Sequence, residues 1–259
     1  MGKSLALARI SAGDRVVEVG PGLGTLTRAL LEAGCRVYAV EKDPHLFAHL
    51  REELSGRHPE NLFLMAGDAV DSPLAGYPDD EDAPFKIVAN LPYAISTPWL
   101  DAVLSSRRLP DRMVLMLQRE TADRFTAEPG TKAMGAITVF LRSAYRAERG
   151  HRVPRQCFYP IPEVDSYLLN LTKNDRPHLF ASATKSLIRQ CFGQRRKQIG
   201  TLLRKFAPSD VAGRWLERLD AAGLSPRCRP EAIPLELWKE LDVGEENGNR
   251  SRPPPHWEN

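Results

Sequence analysis

The chain has 259 residues, of which 42% are hydrophobic, enough for one large domain with an appendage or for two domains. Its apolar runs are far shorter than the roughly 20 residues of a membrane-spanning helix, and its first residues lack the features of a secretory signal. Its four cysteines are scattered without a C-x-x-C pair, which predicts neither a disulfide framework nor a metal site. We therefore expect a cytoplasmic protein.

The net charge of +3 is unevenly distributed. Residues 1–149 carry 18 basic and 20 acidic side chains, residues 150–239 carry 16 and 8, and the remainder carries 2 and 5. The basic excess of the middle stretch indicates contact with a polyanion. A helical surface that is merely well hydrated is the alternative.

Short β-branched runs alternate with helical patterns through the first two thirds of the chain, which predicts parallel strands joined by crossover helices. The predicted strands cover residues 15–19, 36–41, 61–66, 85–89 and 113–117. The predicted helices between them cover residues 23–33 and 46–54. Residues 134–153 and 164–172 predict two more strands, joined by a Pro-rich connection, at an antiparallel edge. The fold class is therefore α/β, with a seven-stranded sheet.

From residue 177 onward, apolar residues recur with a helical period, which predicts a small all-helical domain. Leu187, Cys191, Trp215 and Trp238 belong to these apolar faces. The polar, Pro-rich end of the chain predicts disorder. The predicted division is a sheet domain of residues 1–174, a helical domain of residues 175–243 and a tail of residues 244–259.

A glycine-rich stretch, VVEVGPGLGTLT, lies between the first predicted strand and the next helix. Gly20 and Gly22 let the backbone turn sharply and approach a ligand closely. Thr25 occupies the third glycine position of the nicotinamide fingerprint G-x-G-x-x-G, so the stretch does not match that fingerprint. Glu41 ends the second strand, where a carboxylate can accept the ribose hydroxyls of a nucleoside.

Asp68 follows the third strand in GDAVD and would lie on the same rim of the sheet, able to accept from an adenine amino group. A solvated loop carboxylate or a helix cap is the alternative for each of these acids. Three such features at successive strand ends favour a nucleoside-binding crevice, since ligands of open α/β sheets gather at the carboxyl ends of the strands.

The stretch VANLPYAIS places Asn90, Leu91, Pro92 and Tyr93 at the end of the fourth strand. An adenine amine is a poor nucleophile because its lone pair is delocalised into the ring. The Asn90 side-chain oxygen and a carbonyl near Leu91 could accept its two hydrogens and favour a pyramidal nitrogen. Pro92 would stiffen the turn, and Tyr93 would stack on a base taken out of its helix. The predicted chemistry is in-line attack on a sulfonium methyl group.

Two further stretches point towards the same substrate. Phe158 precedes two prolines, which would fix a loop that presents its ring, although an ordinary core phenylalanine is the alternative. QRRK at residues 194–197 places three positive charges at the predicted start of a helix, where they oppose the helix dipole. Phosphate oxygens would relieve that cost, although such a run is usually just solvated.

These motifs resemble the small-subunit rRNA adenine dimethyltransferases of the KsgA type. The resemblance rests on EVGPGLG, GDA and NLPYAISTP, and it extends through LMLQRE, FYPIPEVDS, FGQRRKQI and RCRPEAI, from about residue 14 to 241. It implies a Rossmann-like class I methyltransferase sheet with a small helical domain, and S-adenosyl-L-methionine as methyl donor. The implied reaction is dimethylation of the exocyclic amines of two adjacent adenosines in the 3′-terminal hairpin of 16S rRNA, within the 30S subunit, late in its assembly. We expect a monomer.

The resemblance also implies roles for individual residues. Asn90, Leu91, Pro92, Tyr93 and Phe158 would carry the reaction, with Tyr93 and Phe158 on either side of the flipped adenine. The implied cofactor-binding residues are Gly20, Gly22, Glu41, Asp68, Ala69 and Asn90. The implied RNA-binding residues are Gln118, Arg119, Arg195, Arg196 and Lys197.

Members of that family usually carry a longer segment before the first strand, including Gly-Gln-Asn-Phe-Leu, so we expect the sheet domain to lack this N-terminal lid. Ala94 also stands where a polar residue is common. One rival is an Erm-type enzyme that methylates an adenine of large-subunit rRNA, although VDS and QRRK favour the small subunit. A noncatalytic RNA-binding assembly factor with the same fold is the other rival.

Overall fold

The computed structural model describes residues 2–78, 83–159 and 161–244 of the chain. These residues form two compact units. The first unit contains the residues up to Ala122 together with Arg146–Lys173, and the second contains Asp123–Tyr145 together with the residues from Asn174 onward. No helix in these ranges is long and apolar enough to cross a membrane.

The strands are β1 (Arg15–Val19), β2 (Arg36–Glu41), β3 (Leu62–Ala66), β4 (Phe85–Asn90), β5 (Arg112–Gln118), β6 (Tyr145–Val153) and β7 (Ser166–Lys173). Within the described residues they form one sheet in the order β3-β2-β1-β4-β5-β7-β6. The pairings among β1 to β5 are parallel, and β7 runs antiparallel to β5. The predicted seven-stranded α/β sheet with an antiparallel strand towards one edge is confirmed.

The helices before residue 126 are α1 (Gly2–Leu7), α2 (Thr25–Glu32), α3 (Pro44–Leu50), α4 (Ser96–Val103) and α5 (Arg119–Phe125). A π-helical turn at Arg51–Ser55 continues α3. Leu30 of α2 and Leu50 of α3 belong to one buried core with Val16, Val37 and Val88 of the parallel strands. These strands are apolar along nearly their whole length because both of their faces are buried.

The position of β1 explains where a ligand can bind. β1 pairs with β2 on one side and with β4 on the other, so the strand order reverses at β1. In open sheets of this kind, the crevice for a ligand lies beyond the carboxyl ends of the strands at such a reversal. The residues that follow β1, β2 and β4 therefore lie where a ligand of such a sheet would bind.

Residues 134–153 differ from the predicted strand, because their first part forms a helix, α6 (Ala136–Ala144), and only the rest forms β6. The Thr138 hydroxyl accepts from the Gly135 N–H at 3.0 Å, which satisfies a free donor where the helix begins. Ile137, Phe140 and Leu141 are buried at helical spacing. Burial of this helical face outweighs the strand propensity of the β-branched residues.

The second unit contains α6 and the later helices α7 (Ser182–Gly193), α8 (Ile199–Phe206), α9 (Ser209–Ala221) and α10 (Leu235–Lys239). Its core includes the fully buried rings of Trp215 and Trp238, whose centroids lie 5.5 Å apart. The Trp215 indole N–H donates to the Leu237 carbonyl at 2.8 Å. The predicted helical pattern after residue 177 therefore corresponds to four helices in the described residues.

The compact units differ from the predicted domain ranges in one place, because residues 123–145 group with the helical unit and not with the sheet. The change of unit at residues 173 and 174 lies at the predicted boundary. The assignment of residues 1–174 to catalysis and of 175–243 to RNA binding stays a prediction. Most of the predicted tail, from residue 245, lies outside the described residues.

Candidate active site

Several polar residues that were predicted as site residues lie at the carboxyl edge of the parallel strands. Glu41 ends β2 and pairs in register with Ala66, two residues before Asp68. Asn90 ends β4, and Gln118 ends β5 opposite Ser166, the first residue of β7. Parallel neighbours end at the same edge of a sheet, so these residues line one side of the first unit.

The loop after β1 lies beside the Asn90–Tyr93 turn. Gly20 has a φ of 62°, in the left-handed region that favours glycine. A Cβ at Gly20 would lie 3.7 Å from Cδ of Pro92, so the two loops are close neighbours. The structure therefore brings the predicted cofactor loop and the predicted catalytic turn together.

Glu41 joins this loop to the end of β2. Its Oε2 accepts from the Gly22 N–H at 3.0 Å, and its Oε1 accepts from the Asp43 N–H at 2.9 Å. The side chain is nearly buried. Each carboxylate oxygen has a second lone pair, so Glu41 can shape the loop and still accept hydrogen bonds from a ligand.

Glu18 was not predicted as a site residue, although it interrupts an otherwise apolar strand. It is 1% exposed, and its Oε2 has no hydrogen-bond partner among the described residues. Burial raises the pKa of Glu18 to about 8, and the charge of Glu41 adds to the shift. An unpartnered buried carboxyl oxygen near the end of β1 fits a ligand that brings a hydrogen-bonding partner.

Asp68 is held on both oxygens. Its Oδ1 accepts from the Val70 N–H at 2.8 Å, and its Oδ2 accepts from the Lys42 ammonium at 2.8 Å. The hydrogen bond from Lys42, followed by that from Val70, lowers the pKa of Asp68. Lys42 was not predicted, because its pairing with Asp68 depends on β2 and β3 lying side by side. Ala69 follows as a buried residue.

The Asn90–Tyr93 turn has one buried anchor, and its other three residues are exposed. Leu91 is buried, whereas Asn90 is exposed and the side chain of Tyr93 is 38% exposed. Pro92, with a φ of −56°, leads into a 3-10 turn at Tyr93–Ile95. The Ser96 hydroxyl donates to the Tyr93 carbonyl at 3.0 Å, which fixes the end of the turn.

Asp165 and Ser166 hold the two predicted base-stacking residues. The Tyr93 hydroxyl lies 3.1 Å from the hydroxyl of the buried Ser166. Asp165 accepts from the Arg155 N–H at 2.9 Å, at the start of the 3-10 turn Arg155–Cys157 that precedes the half-buried Phe158. One short segment therefore ties down both loops. Asp165 and Ser166 belong to the VDS motif that the sequence analysis noted, but the sequence alone did not show that they hold these two loops.

The side chains at the end of β5 lie near this segment. The Arg119 N–H donates to the Asp165 carbonyl at 3.1 Å, and the Arg119 guanidinium lies 5.1 Å from the ring centre of Tyr167. Gln118 is partly buried, and Arg119 is exposed. Their predicted contact with RNA stays a prediction.

The basic run at residues 194–197 was predicted at the start of a helix, but it lies in the turn between α7 and α8, and α8 begins only at Ile199. Arg195 is tied to its own unit, because its guanidinium donates to the Lys132 carbonyl at 2.9 Å and lies 3.5 Å from the Glu231 carboxylate. Arg196 and Lys197 are exposed. Their predicted RNA-binding roles stay predictions.

The strand order β3-β2-β1-β4-β5-β7-β6, with β7 antiparallel to β5, is that of the class I methyltransferase fold. A dimethyladenosine transferase from Plasmodium falciparum superposes with a TM-score of 0.73 over 93% of this chain and 92% of its own, at 24% identity, which supports the fold. The 23S rRNA methyltransferase ErmE superposes with a TM-score of 0.63 at 28% identity, over 92% of this chain and 93% of its own.

The sequence comparisons are more specific. The family described as "Ribosomal RNA adenine dimethylase" matches residues 3–222. The "Ribosomal RNA small subunit methyltransferase A" of Opitutus terrae is 60% identical over 94% of this chain and 87% of its own length. That of Moorella thermoacetica is 39% identical over 88% of this chain and 82% of its own length. This chain belongs to the ribosomal RNA adenine dimethylase family and is a methyltransferase.

Proposed function

We propose that this protein uses S-adenosyl-L-methionine to methylate the exocyclic amines of two adjacent adenosines in the 3′-terminal hairpin of 16S rRNA, during assembly of the 30S subunit. The observation that carries the proposal is the Asn90–Tyr93 turn, which lies against the Gly20 loop and is tied to Ser166. The 60% identity to a small-subunit methyltransferase supports the choice of RNA. We propose a cytoplasmic monomer with the 30S subunit as its partner.

The residues at the carboxyl edge fit the cofactor. Gly20 and Gly22 let the backbone pass close to it, and Glu41 and Asp68 offer acceptors to its ribose and adenine. Ala69 and Asn90 complete the predicted set. The unpartnered Oε2 of the protonated Glu18 carboxyl is a further hydrogen-bonding atom for its polar groups. When bound, S-adenosyl-L-methionine supplies an electrophilic methyl group on a sulfonium.

Asn90 and Leu91 are the residues that would activate the amine. The Asn90 side-chain oxygen and the Leu91 carbonyl would each accept a hydrogen bond from one of the two N–H groups of the adenine amine. Two fixed acceptors favour the pyramidal nitrogen, whose lone pair is free to attack, over the flat and unreactive one. The burial of Leu91 and the fixed φ of Pro92 hold this carbonyl in place, so little reorganisation is needed at the moment of reaction.

Tyr93 and Phe158 would hold the adenine itself. An adenine must leave its stack to enter such a crevice, and base–aromatic stacking is worth about 1–3 kcal/mol per base. Ser166 fixes the Tyr93 ring through its hydroxyl, and Asp165 fixes the turn that precedes Phe158. The rings therefore lose little freedom when a base binds between them.

The test uses unmethylated 30S and 50S subunits with labelled S-adenosyl-L-methionine, and locates the products by primer extension and nucleoside analysis. We expect label in the 30S subunit only, as dimethyladenosine at two adjacent positions of the 3′-terminal hairpin. Label in the 50S subunit alone would assign the protein to the Erm-type reaction. Tight binding to 30S without methyl transfer would assign it to a noncatalytic assembly role.

A further inference from the structure

Tyr159 is the residue next to Phe158, and its side chain is 100% exposed. An aromatic ring with its whole surface in water contributes nothing to the core of the unit. Nucleic-acid-binding proteins use exposed rings as platforms on which unpaired bases stack. The position of Tyr159 beside a proposed base-stacking residue therefore makes its ring a candidate for a second platform.

The backbone directs the two rings apart. Phe158 has φ −119° and ψ 152°, which is extended backbone. In an extended chain, successive side chains point to opposite sides. Phe158 is half-buried and Tyr159 is fully exposed, which agrees with side chains on opposite sides of the backbone. The two rings therefore cannot hold the same base, and Tyr159 is available to another nucleotide.

The base of the loop that carries Tyr159 is anchored. Asp165 accepts from the Arg155 N–H at 2.9 Å and from Nε of Arg152 at 2.8 Å. The Arg155 guanidinium donates to the Glu163 carbonyl at 3.2 Å, across the same loop. A ring carried on a loop closed in this way loses less entropy on binding than one on an open chain.

We propose that Tyr159 stacks on the nucleotide that flanks the target adenosine, while Phe158 and Tyr93 hold the target itself. The inference rests on the proposed function, because it takes the flanking base to be one of two adjacent adenosines. A ring outside the catalytic crevice would hold the neighbouring base unstacked from its own helix and present the target in a fixed register. Stacking is tolerant of base type, so a methylated neighbour would fit as well as an unmodified one.

The test compares Tyr159→Ala, Tyr159→Phe and Ile161→Ala. Ile161 is 61% exposed on the same loop but has no aromatic face, so its variant controls for lost apolar area. The measurements are the Kd for unmethylated 30S subunits, the KM values for 30S and for S-adenosyl-L-methionine, and the melting temperature. We expect Tyr159→Ala to raise the Kd and KM for 30S by roughly 5- to 150-fold, the equivalent of one lost stacking contact. Its KM for the methyl donor and its melting temperature should not change.

Tyr159→Phe should stay within about twofold of the unmodified protein, because it keeps the ring on which a base stacks. An unchanged Kd in Tyr159→Ala, or equal losses in Tyr159→Ala and Ile161→Ala, would overturn the inference; the second result would indicate a plain apolar contact. If the unmodified protein binds 30S but transfers no methyl group, the proposed function fails, and the Kd of Tyr159→Ala still decides the stacking role. If it does not bind 30S, both fail.

Discussion

Glu18 is a carboxyl group inside an apolar strand, next to the residues proposed to bind the cofactor. Its folded pKa of about 8 lies far above its ordinary value of 4.5, chiefly because burial disfavours the charged form. Perturbed groups of this kind cluster at functional sites, where stability is often sacrificed for binding. Glu18 should therefore make the free energy of unfolding depend on pH.

Glu18→Gln tests this dependence. Below pH 4.5 Glu18 is protonated in both the folded and the unfolded chain, so its ionisation does not affect the free energy of unfolding. Between pH 4.5 and about 8 the unfolded chain releases the proton while the folded chain keeps it, so stability falls as pH rises. Glutamine does not ionise, so the variant escapes this fall. The free energy of unfolding of Glu18→Gln, relative to that of the unmodified protein, should therefore increase between pH 5 and 8 by an amount on the order of a few kcal/mol. Urea unfolding at both pH values measures it, with the exposed Glu60→Gln as control. An advantage that is the same at both pH values would contradict the buried carboxyl.

The positions in the fold of several predicted site residues could be foreseen, because these residues end or follow predicted strands. Glu41, Asp68 and Asn90 each stand at a strand end, and parallel strands bring such positions to one edge. The role of Ser166 could not be predicted from the sequence, because it lies 73 residues after its partner Tyr93. Lys42 was missed for the same reason, since its contact with Asp68 exists only once β2 and β3 pair.

The loop between β1 and α2 carries Gly20 and Gly22, which are predicted to bind the cofactor, and it ends at Gly24. Gly24 caps α2 with a φ of 77°, and a Cβ there would lie 2.7 Å from Cδ2 of Leu50 and 2.9 Å from Cδ1 of Leu54. Both leucines belong to the buried core. Glycine at this position therefore allows α2 to begin directly against α3 and the π-helical turn that follows it.

Gly24→Ala should lower the free energy of unfolding by roughly 2–4 kcal/mol, because it combines a left-handed backbone with an overpacked core. Gly56→Ala is the matched control, since Gly56 has an ordinary φ of −65° and open space around its Cβ position. That variant should be neutral or more stable by up to about 1 kcal/mol. Thermal or urea unfolding distinguishes them, and equal stabilities would rule out the close packing at Gly24.

Two stretches of similar β-branched composition fold into different elements. The five parallel strands were predicted closely, because short buried β-branched runs bounded by turn residues are typical of the central strands of a parallel sheet. The run Ile137, Thr138 and Val139 has the same composition but forms part of α6. Its surroundings are buried at helical spacing, and this tertiary packing overrides local strand propensity.

At the scale of the whole molecule, charge is concentrated in residues 150–239, where 16 basic side chains stand against 8 acidic ones. These basic side chains differ in whether they already have an acidic partner within the protein. Arg195 is bound to Glu231, whose side chain is only 13% exposed, whereas Arg196 is exposed in the same turn. Basic residues that contact phosphate release counterions on binding, which makes affinity depend on salt.

The two arginines should therefore respond differently to replacement. Arg196→Ala should reduce the slope of log K against log salt for RNA binding by about 0.7–0.9, with an unchanged melting temperature. Arg195→Ala should lower the free energy of unfolding by about 1–3 kcal/mol, because it leaves the largely buried Glu231 without its cation. Filter binding across a salt series and thermal unfolding measure these effects. If Arg196→Ala destabilised the protein as much as Arg195→Ala, the distinction between the two arginines would be wrong.

The most direct test of the proposed reaction is the single-turnover rate of methyl transfer to 30S subunits at saturating S-adenosyl-L-methionine, for Asn90→Ala against the unmodified protein. Asn90→Asp, which keeps an acceptor oxygen, is the control. If the amine is activated by the fixed acceptors at Asn90 and Leu91, the rate of Asn90→Ala should fall at least about 100-fold, the typical effect of losing one group that stabilises a transition state, and Asn90→Asp should retain more of it. A rate in Asn90→Ala close to that of the unmodified protein would contradict the account.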